Sequence, residues 1–147
     1  MLVDYLHVHT NVTIRYHASN MIIIFESESA YFVLPKARSS AAAWYIIINN
    51  PSKHSKTTNN SPVHIMCNTI KNVMYSAAEA KTGGIFVSIQ CACPIRLTLI
   101  DLGHKQPPTS TPLYTDNSTA KGILTSYMRQ KISKAFDMLL YWVKDRI

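Results

Sequence analysis

Apolar runs and alternation mark the first half of the chain as strand-forming. MIIIF at 21–25 is a continuous β-branched and aromatic run, typical of a strand buried on both faces. AAAWYIIINN at 41–50 has the same character and ends in an Asn-Asn-Pro turn. VHIMCNTI at 63–70 alternates loosely, and NVTIRYHA at 11–18 alternates like a half-buried strand. Because the connections are short or polar, the runs at 21–25, 41–50 and 63–70 are predicted to form an antiparallel meander.

A helical period replaces the strand pattern after residue 75. SAAEAKTGGIFVSIQCA at 76–92 is Ala-rich, with apolar residues at helical spacing. Its Gly83-Gly84 pair costs a helix about 1 kcal/mol per glycine relative to alanine, and close packing on a sheet would explain the pair. Pro94 suits the first turn of a second helix, PIRLTLIDLG, which Gly103 would end.

The remaining pattern predicts one more strand and two more helices. PLYTDN at 112–117 is a short strand that stops at an acid, and STAKGILTSYM at 118–128 is a helix capped by Ser118 or Asn117. SKAFDMLLYWVKDRI at 133–147 is amphipathic. Three strands, two helices, a strand and two helices predict an α/β or α+β fold with a mixed sheet.

Length and composition predict a single basic domain. The 147 residues suffice for one domain with a core but not for two. The formal net charge of +7 favours a polyanionic partner, either nucleic acid or an acidic surface, without choosing between them. Three cysteines without framework spacing argue against a secreted disulfide fold. Without a signal peptide or an apolar run of membrane-spanning length, the sequence predicts an intracellular protein with no membrane partner.

Three acidic residues fall near the ends of predicted elements. Glu28 follows the first buried strand, Glu79 lies in the first turns of the helix after the third strand, and Asp116 follows the fourth strand. A mixed sheet with a helix on one face would bring them to one end, where ligands of α/β sheets bind. Clustered carboxylates are tolerated mainly where divalent cations neutralise them. From spacing alone, a metal cluster and ordinary solvated acids both remain open.

Several longer motifs follow one another in a specific order. They are SAAEAKTGGIF, LIDLGHKQPPTSTPLYTDNSTAKGI and SKAFDMLLYWVKDRI, with YHASNM and YFVLPKARSSAA upstream. Together they resemble the ribonuclease H region of copia-type retrotransposon polyproteins. MLVDYLHVHTNVTIRY is similar to the tail of the reverse transcriptase that precedes that region. The resemblance divides the chain into a reverse-transcriptase tail at 1–18 and a ribonuclease-H-like domain at 19–147.

The resemblance implies a fold, a reaction and a set of site residues. The fold is ribonuclease-H-like, with three antiparallel strands followed by helices and a further parallel strand. The reaction is hydrolysis of the RNA strand in an RNA–DNA hybrid, by a ribonuclease H-type endonuclease that uses Mg²⁺ or Mn²⁺. Carried over by position, the catalytic and metal-binding residues are Glu28, Glu79 and Asp116.

Departures from the family pattern weaken the expectation of activity. Glu28 stands where the family has Asp, and the extra methylene can misplace a ligand by about 1 Å, which can cost on the order of 100-fold in rate. Lys81 stands where the family tends to have another acid. A fourth acid is expected beyond Ile147, so the last strand and helix are expected to be missing. The expectation is a partial or degenerate copy with weak or absent hydrolysis.

Other residues are predicted to hold the nucleic acid. A hybrid is bound through its phosphates and 2′-hydroxyls, so Lys36 and Arg38 are predicted backbone contacts. Asn117, typical of the family beside its acid, is predicted to hydrogen-bond a 2′-hydroxyl. The implied protein partner is the reverse transcriptase portion of the parent polyprotein, in a cytoplasmic virus-like particle or the nucleus.

Two other function classes stay open. A non-catalytic nucleic-acid-binding module would bind with strong salt dependence and would not cut. A structural fragment would function only within a longer polyprotein. An unrelated α/β enzyme lacks support, because the sequence has no glycine-rich phosphate loop and no Ser-His-Asp order.

Overall fold

One mixed sheet and one long helix organise the chain. The computed structural model describes residues 2–11, 13–49, 60–108, 111–125, 138 and 141–145. The elements are α1 (Leu2–Val8), β1 (Ile22–Leu34), β2 (Arg38–Ile48), β3 (Pro62–Thr69), α2 (Ala77–Asp101), β4 (Leu113–Tyr114) and α3 (Ser118–Leu124). Within these residues the strand order in space is β3-β2-β1-β4. The first three strands are antiparallel and β4 is parallel to β1, which confirms the predicted mixed α/β class.

β1 continues well beyond the apolar run that predicted it. Its pairing with β2 is unbroken from Ile22 opposite Ile48 to Ala30 opposite Ser40. Glu28, predicted to follow the strand, therefore lies inside it. The Glu-Ser-Glu-Ser stretch does not end the strand because the ladder is made by backbone groups, and β2 supplies a partner at each of these positions.

The alternating segment at 11–18 is not a strand, and its prediction was wrong. Residues 13–20 have no regular structure, and the side chains of Ile14 and Tyr16 are 67% and 59% exposed. The paired strands of the described sheet, β3-β2-β1-β4, do not include this segment. Asn60 instead holds this segment to the sheet, because its amide donates to the carbonyl oxygens of His17 (3.2 Å) and Ile47 (2.9 Å).

α2 is one helix of 25 residues, so the prediction of a second helix beginning at Pro94 was wrong. Pro94 is exposed, so the backbone bond that it removes is lost on the solvent side. Ile89 before it and Leu99 after it belong to the same buried cluster, and this packing keeps the two halves of the helix in line.

The end of α2 confirms the prediction for Gly103. The residue has φ +89°, which favours glycine. Its N–H donates to the Ile100 oxygen (2.8 Å), and the His104 N–H donates to the Leu99 oxygen (2.9 Å). These two bonds form a Schellman motif, which satisfies carbonyls that the last turn leaves without helical partners.

The helix lies very close to the sheet at Gly84. A Cβ there would lie 1.8 Å from Ser29 Oγ, which confirms that close packing explains a glycine at this position. Beside this contact, Ser27 Oγ and Ser88 Oγ are 2.9 Å apart, and the Tyr45 hydroxyl donates to the Ser88 oxygen (2.8 Å). By length and composition alone α2 could cross a membrane, contrary to the sequence-based expectation, but here it packs on β1 and β2 as a core helix.

The core lies between α2 and the sheet, and later segments close it. Its buried members are Ile23, Phe25, Ala43, Tyr45, Met66, Ile85, Ile89, Ala92, Leu99, Ala120, Leu124 and Val143. The predicted helix at 118–128 is confirmed as far as Leu124, and its last three residues lie outside the described part. The predicted helix at 133–147 lies largely outside it too, although residues 141–144 are helical and bring Val143 into the core.

β4 is short, and the side chain of Gln106 continues the hydrogen bonding along the same edge of β1. Only Phe25 opposite Leu113 and Glu26 opposite Tyr114 are paired. Further back along β1, Gln106 takes the place of a strand: its Oε1 accepts from the Ile23 N–H (3.1 Å) and its Nε2 donates to the Met21 oxygen (2.7 Å). The segment between α2 and β4 thus supplies hydrogen bonds to the same edge.

Candidate functional site

Two of the predicted acids meet beside the carboxyl end of β4. Glu26 and Tyr114 are the last paired residues of β1 and β4. Glu28 and Asp116 each lie two residues further along these parallel neighbours, so they are side by side. This is the carboxyl end of β4, the kind of location where ligands of α/β sheets bind. The register between β1 and β4 therefore brings the two carboxylates next to each other.

A lysine from α2 lies between these carboxylates. Lys81 Nζ is 2.7 Å from Glu28 Oε2 and 3.1 Å from Asp116 Oδ1. The Lys81 side chain is only 18% exposed, against 36% for Glu28 and 72% for Asp116. Burial acts to lower the pKa of Lys81, but hydrogen bonds to the two carboxylates outweigh it and raise that pKa above its usual value. The lysine is therefore a charged ammonium at neutral pH.

Glu79, the third predicted ligand, caps the N-terminus of α2. Its backbone N–H donates to the Ser76 hydroxyl (3.1 Å), and its Oε2 accepts from the Tyr75 N–H (2.6 Å). This is close to a capping box, in which a Ser at the N-cap and a Glu three residues later each satisfy a backbone donor. Residues two apart on a helix do not face the same way. Since the Lys81 side chain points toward Glu28 and Asp116, the Glu79 side chain points in another direction, toward the N-terminal cap of α2.

The family resemblance implies a magnesium ion at these acidic residues. Glu28 and Asp116 supply the oxygen ligands that Mg²⁺ and Mn²⁺ prefer. Both carboxylates already bind the Lys81 ammonium, and the Glu79 carboxylate is engaged at the helix cap. Across the described residues, no three His, Cys, Asp or Glu side chains are grouped so that they could hold a metal ion. As arranged, these residues do not fit a divalent cation.

The predicted nucleic-acid contacts fall in two separate places. Asn117 adjoins Asp116, and its Oδ1 accepts from the Ala120 N–H (2.7 Å), which confirms the predicted cap of α3. Lys36 lies exposed in the β1–β2 turn with φ 61°, and Arg38 is exposed at the start of β2. Leu34 pairs with Arg38, six residues beyond Glu28, which is roughly 20 Å along an extended strand. Lys36 and Arg38 therefore lie well away from the carboxylates.

Arg38 lines a cavity of about 670 Å³ between the end of β3 and α2. Lys71, the amide side chains of Asn68 and Asn72, and Phe86 also line it. We call these four polar residues, Arg38, Asn68, Lys71 and Asn72, the basic groove. Only Arg38 was predicted from the sequence, because Asn68, Lys71 and Asn72 form no motif that distinguishes them from ordinary surface residues.

Comparisons with known proteins do not identify a family. No protein-family model matches the chain, and neither does any curated protein or any solved structure. The resemblance to the copia-type ribonuclease H region stays a prediction from sequence motifs. The interpretation of the site therefore depends on its own geometry.

Proposed function

We propose that the chain is a ribonuclease-H-like domain of a copia-type retrotransposon polyprotein that binds nucleic acid without hydrolysing it. The observation that carries the proposal is the Lys81 ammonium, bound to Glu28 within β1 and to Asp116 just after β4. Hydrolysis by the metal-dependent route would need those carboxylates as ion ligands. Here a protein cation uses both of them, so the preferred function is binding.

The order of the elements supports the fold assignment. An antiparallel β1-β2-β3 meander is followed by α2 and by a strand added in parallel beside β1. This is the arrangement that the motif resemblance implies, with an acid on the first strand and another after the parallel one. The meander, a fourth strand and a mixed sheet were also predicted from hydrophobic patterning, while the parallel direction of that strand came from the resemblance alone.

The charge distribution supports a polyanionic ligand. The net charge is +7, and the basic groove combines two cations with two amides, which suit phosphate oxygens. Lys36 is exposed in the β1–β2 turn, two residues before Arg38, and extends the positive surface. An RNA–DNA hybrid is the proposed ligand, with the phosphate backbone as the principal contact.

Binding is tested by fluorescence anisotropy with a short labelled RNA–DNA hybrid over a series of salt concentrations. We expect affinity to fall steeply with salt, because each neutralised phosphate adds about −0.9 to the slope of log K against log salt. Arg38→Ala and Lys71→Ala should each weaken binding and reduce that slope by about 1. Lys105→Ala, which removes an exposed lysine after α2, is the matched control and should leave the slope nearly unchanged.

Hydrolysis is tested on the same hybrid with Mg²⁺ or Mn²⁺ present. We expect the RNA strand to stay intact under conditions in which the hybrid is saturated with protein. Cleavage that disappears in Asp116→Asn would refute the proposal and restore the catalytic hypothesis. Failure to bind any hybrid would instead favour the structural-fragment alternative.

A further inference from the structure

We infer that the Lys81 ammonium is a built-in substitute for a divalent cation, and that it joins β1 to the chain after β4 where a metal ion would otherwise bridge two carboxylates. The inference deepens the proposed function and rests on it for the kind of ion that is replaced. Its direct support is the ion pair with Glu28 and Asp116.

Both contacts of the ammonium have hydrogen-bond length. At 2.7 and 3.1 Å, one nitrogen bridges carboxylates that are far apart in sequence and lie on adjacent chain segments. A lysine ammonium has three donors, and two of them are used here. One positive charge thus sits between two negative charges, as a bridging cation would.

The lysine is held in place by its neighbours on the helix. Ala80 and Thr82, on either side of Lys81, are fully buried. Gly84, on the next turn, lies against β1 so closely that no Cβ would fit. Because the backbone on either side of Lys81 is packed in the core, the side chain extends toward Glu28 and Asp116 and is only 18% exposed.

This arrangement predicts how the site responds to metal ions. With Lys81 present, an entering divalent cation would meet a fixed positive charge and two carboxylates that already have a partner. With the ammonium removed, Glu28 and Asp116 would remain as two adjacent, uncompensated carboxylates, which is the ligand type that Mn²⁺ binds. The native chain should therefore ignore Mn²⁺, and a variant without the ammonium should bind it.

The experiment compares the full chain with Lys81→Met, which keeps most of the side-chain length and removes the charge. Lys105→Met is the matched control, with the same loss of charge at an exposed site. Each protein is melted with and without millimolar Mn²⁺, and paramagnetic broadening of the backbone amide signals is followed by NMR. Mg²⁺ serves as the diamagnetic comparison.

We expect no Mn²⁺-dependent change of Tm for the native chain or for Lys105→Met. Lys81→Met should melt at a lower temperature without metal and recover several degrees with Mn²⁺, because an ion that binds only the folded state stabilises it. Broadening should centre on residues 28 and 116 in this variant alone. A Lys81→Met chain that folds only with Mn²⁺ would support the inference equally.

Two results would overturn it. One is selective broadening at residues 28 and 116 in the native chain, since the ammonium would then not exclude the ion. The other is a Lys81→Met chain, or Lys81→Gln if the first variant does not fold, that shows no response to Mn²⁺. The measurement contains no nucleic acid, so this inference can fail while hybrid binding stands, and the reverse is equally visible.

Discussion

Replacing Gly84 with alanine tests how closely α2 lies on the sheet. The new Cβ would be 1.8 Å from Ser29 Oγ and 3.2 Å from Ser29 Cβ. Favourable contacts between such atoms are about 3.5–4.0 Å, so the Ser29 side chain must rotate or the helix and β1 must move apart. The added methyl group therefore converts a close fit into an overlap at the centre of the helix–sheet interface.

The change in the free energy of unfolding caused by Gly84→Ala combines two opposing effects. Overpacking of a core costs about 1–3 kcal/mol, and an overlap of this size belongs to the upper part of that range. Alanine in place of glycine within a helix returns about 1 kcal/mol. We expect Gly84→Ala to lower the free energy of unfolding by about 1–2 kcal/mol, which is a fall in Tm of roughly 2–8 °C for a chain of this size.

The neighbouring glycine supplies the control. A Cβ on Gly83 would meet the Met74 Cε at 2.8 Å, and this flexible chain end can turn aside. Gly83→Ala should therefore be neutral or stabilise the protein by up to about 1 kcal/mol. Ser29→Ala, combined with Gly84→Ala, removes the overlapping oxygen and should recover about 1 kcal/mol.

Urea unfolding followed by tryptophan fluorescence measures all four proteins, since the chain carries its own Trp44 and Trp142. Midpoints are compared at equal slope, so that differences report stability. If Gly84→Ala proves as stable as Gly83→Ala, and Ser29→Ala changes nothing in its background, then α2 does not lie as close to β1 as described.

Three further predictions concern single contacts. Glu79→Ala should lower the free energy of unfolding by about 0.5–2 kcal/mol through loss of the cap at Tyr75, and Glu79→Gln should retain most of it; thermal melts followed by circular dichroism measure both. Tyr45→Phe should cost about 1 kcal/mol in urea unfolding, because the hydroxyl bond to Ser88 is lost. The pKa of Lys81 is raised, because its hydrogen bonds to the two carboxylates exceed the effect of burial. The contribution of the Lys81 ammonium to the free energy of unfolding should therefore be complete below about pH 10.4, and it should fall as the pH rises through the folded-state pKa. The difference in Tm between the native chain and Lys81→Met should therefore shrink only in strongly alkaline buffer; a difference that disappears near neutral pH would contradict it.

Hydrophobic patterning locates the strands but does not always give their limits. MIIIF at 21–25 identified β1 correctly, but the strand extends to Leu34 because β2 offers backbone partners that no side-chain pattern reveals. The segment at 11–18 also carries a strand signal, but its described residues join none of the four paired strands. Pro94 does not end α2, because residues on either side of it pack into the same buried cluster. Local preference yields wherever tertiary contacts compete with it.

The positions of the site residues could be predicted only in part, because some of them depend on tertiary packing. Glu28 and Asp116 meet because of the parallel register of β1 and β4. The element order predicted a mixed sheet, and the parallel direction of the fourth strand was implied by the family resemblance. Glu79 carries the Ser-x-x-Glu signature of a capping box, a local signal that points to a structural role. The position of the Lys81 ammonium depends on the direction in which α2 crosses the sheet, and no sequence pattern fixes that direction.

The shortness of β4 also has a consequence for the order in which the protein folds. β4 joins β1 through two residue pairs, across a long stretch of intervening chain, so it gains few contacts for a large loss of chain entropy. The local β1–β2 hairpin and α2 can form before it. Lys81 spans 53 residues to Glu28 and 35 residues to Asp116, and so connects the early-forming part to the late one. In native-state hydrogen exchange, the amides of β4 should therefore open more readily than those of β1, and most readily once this lysine is removed.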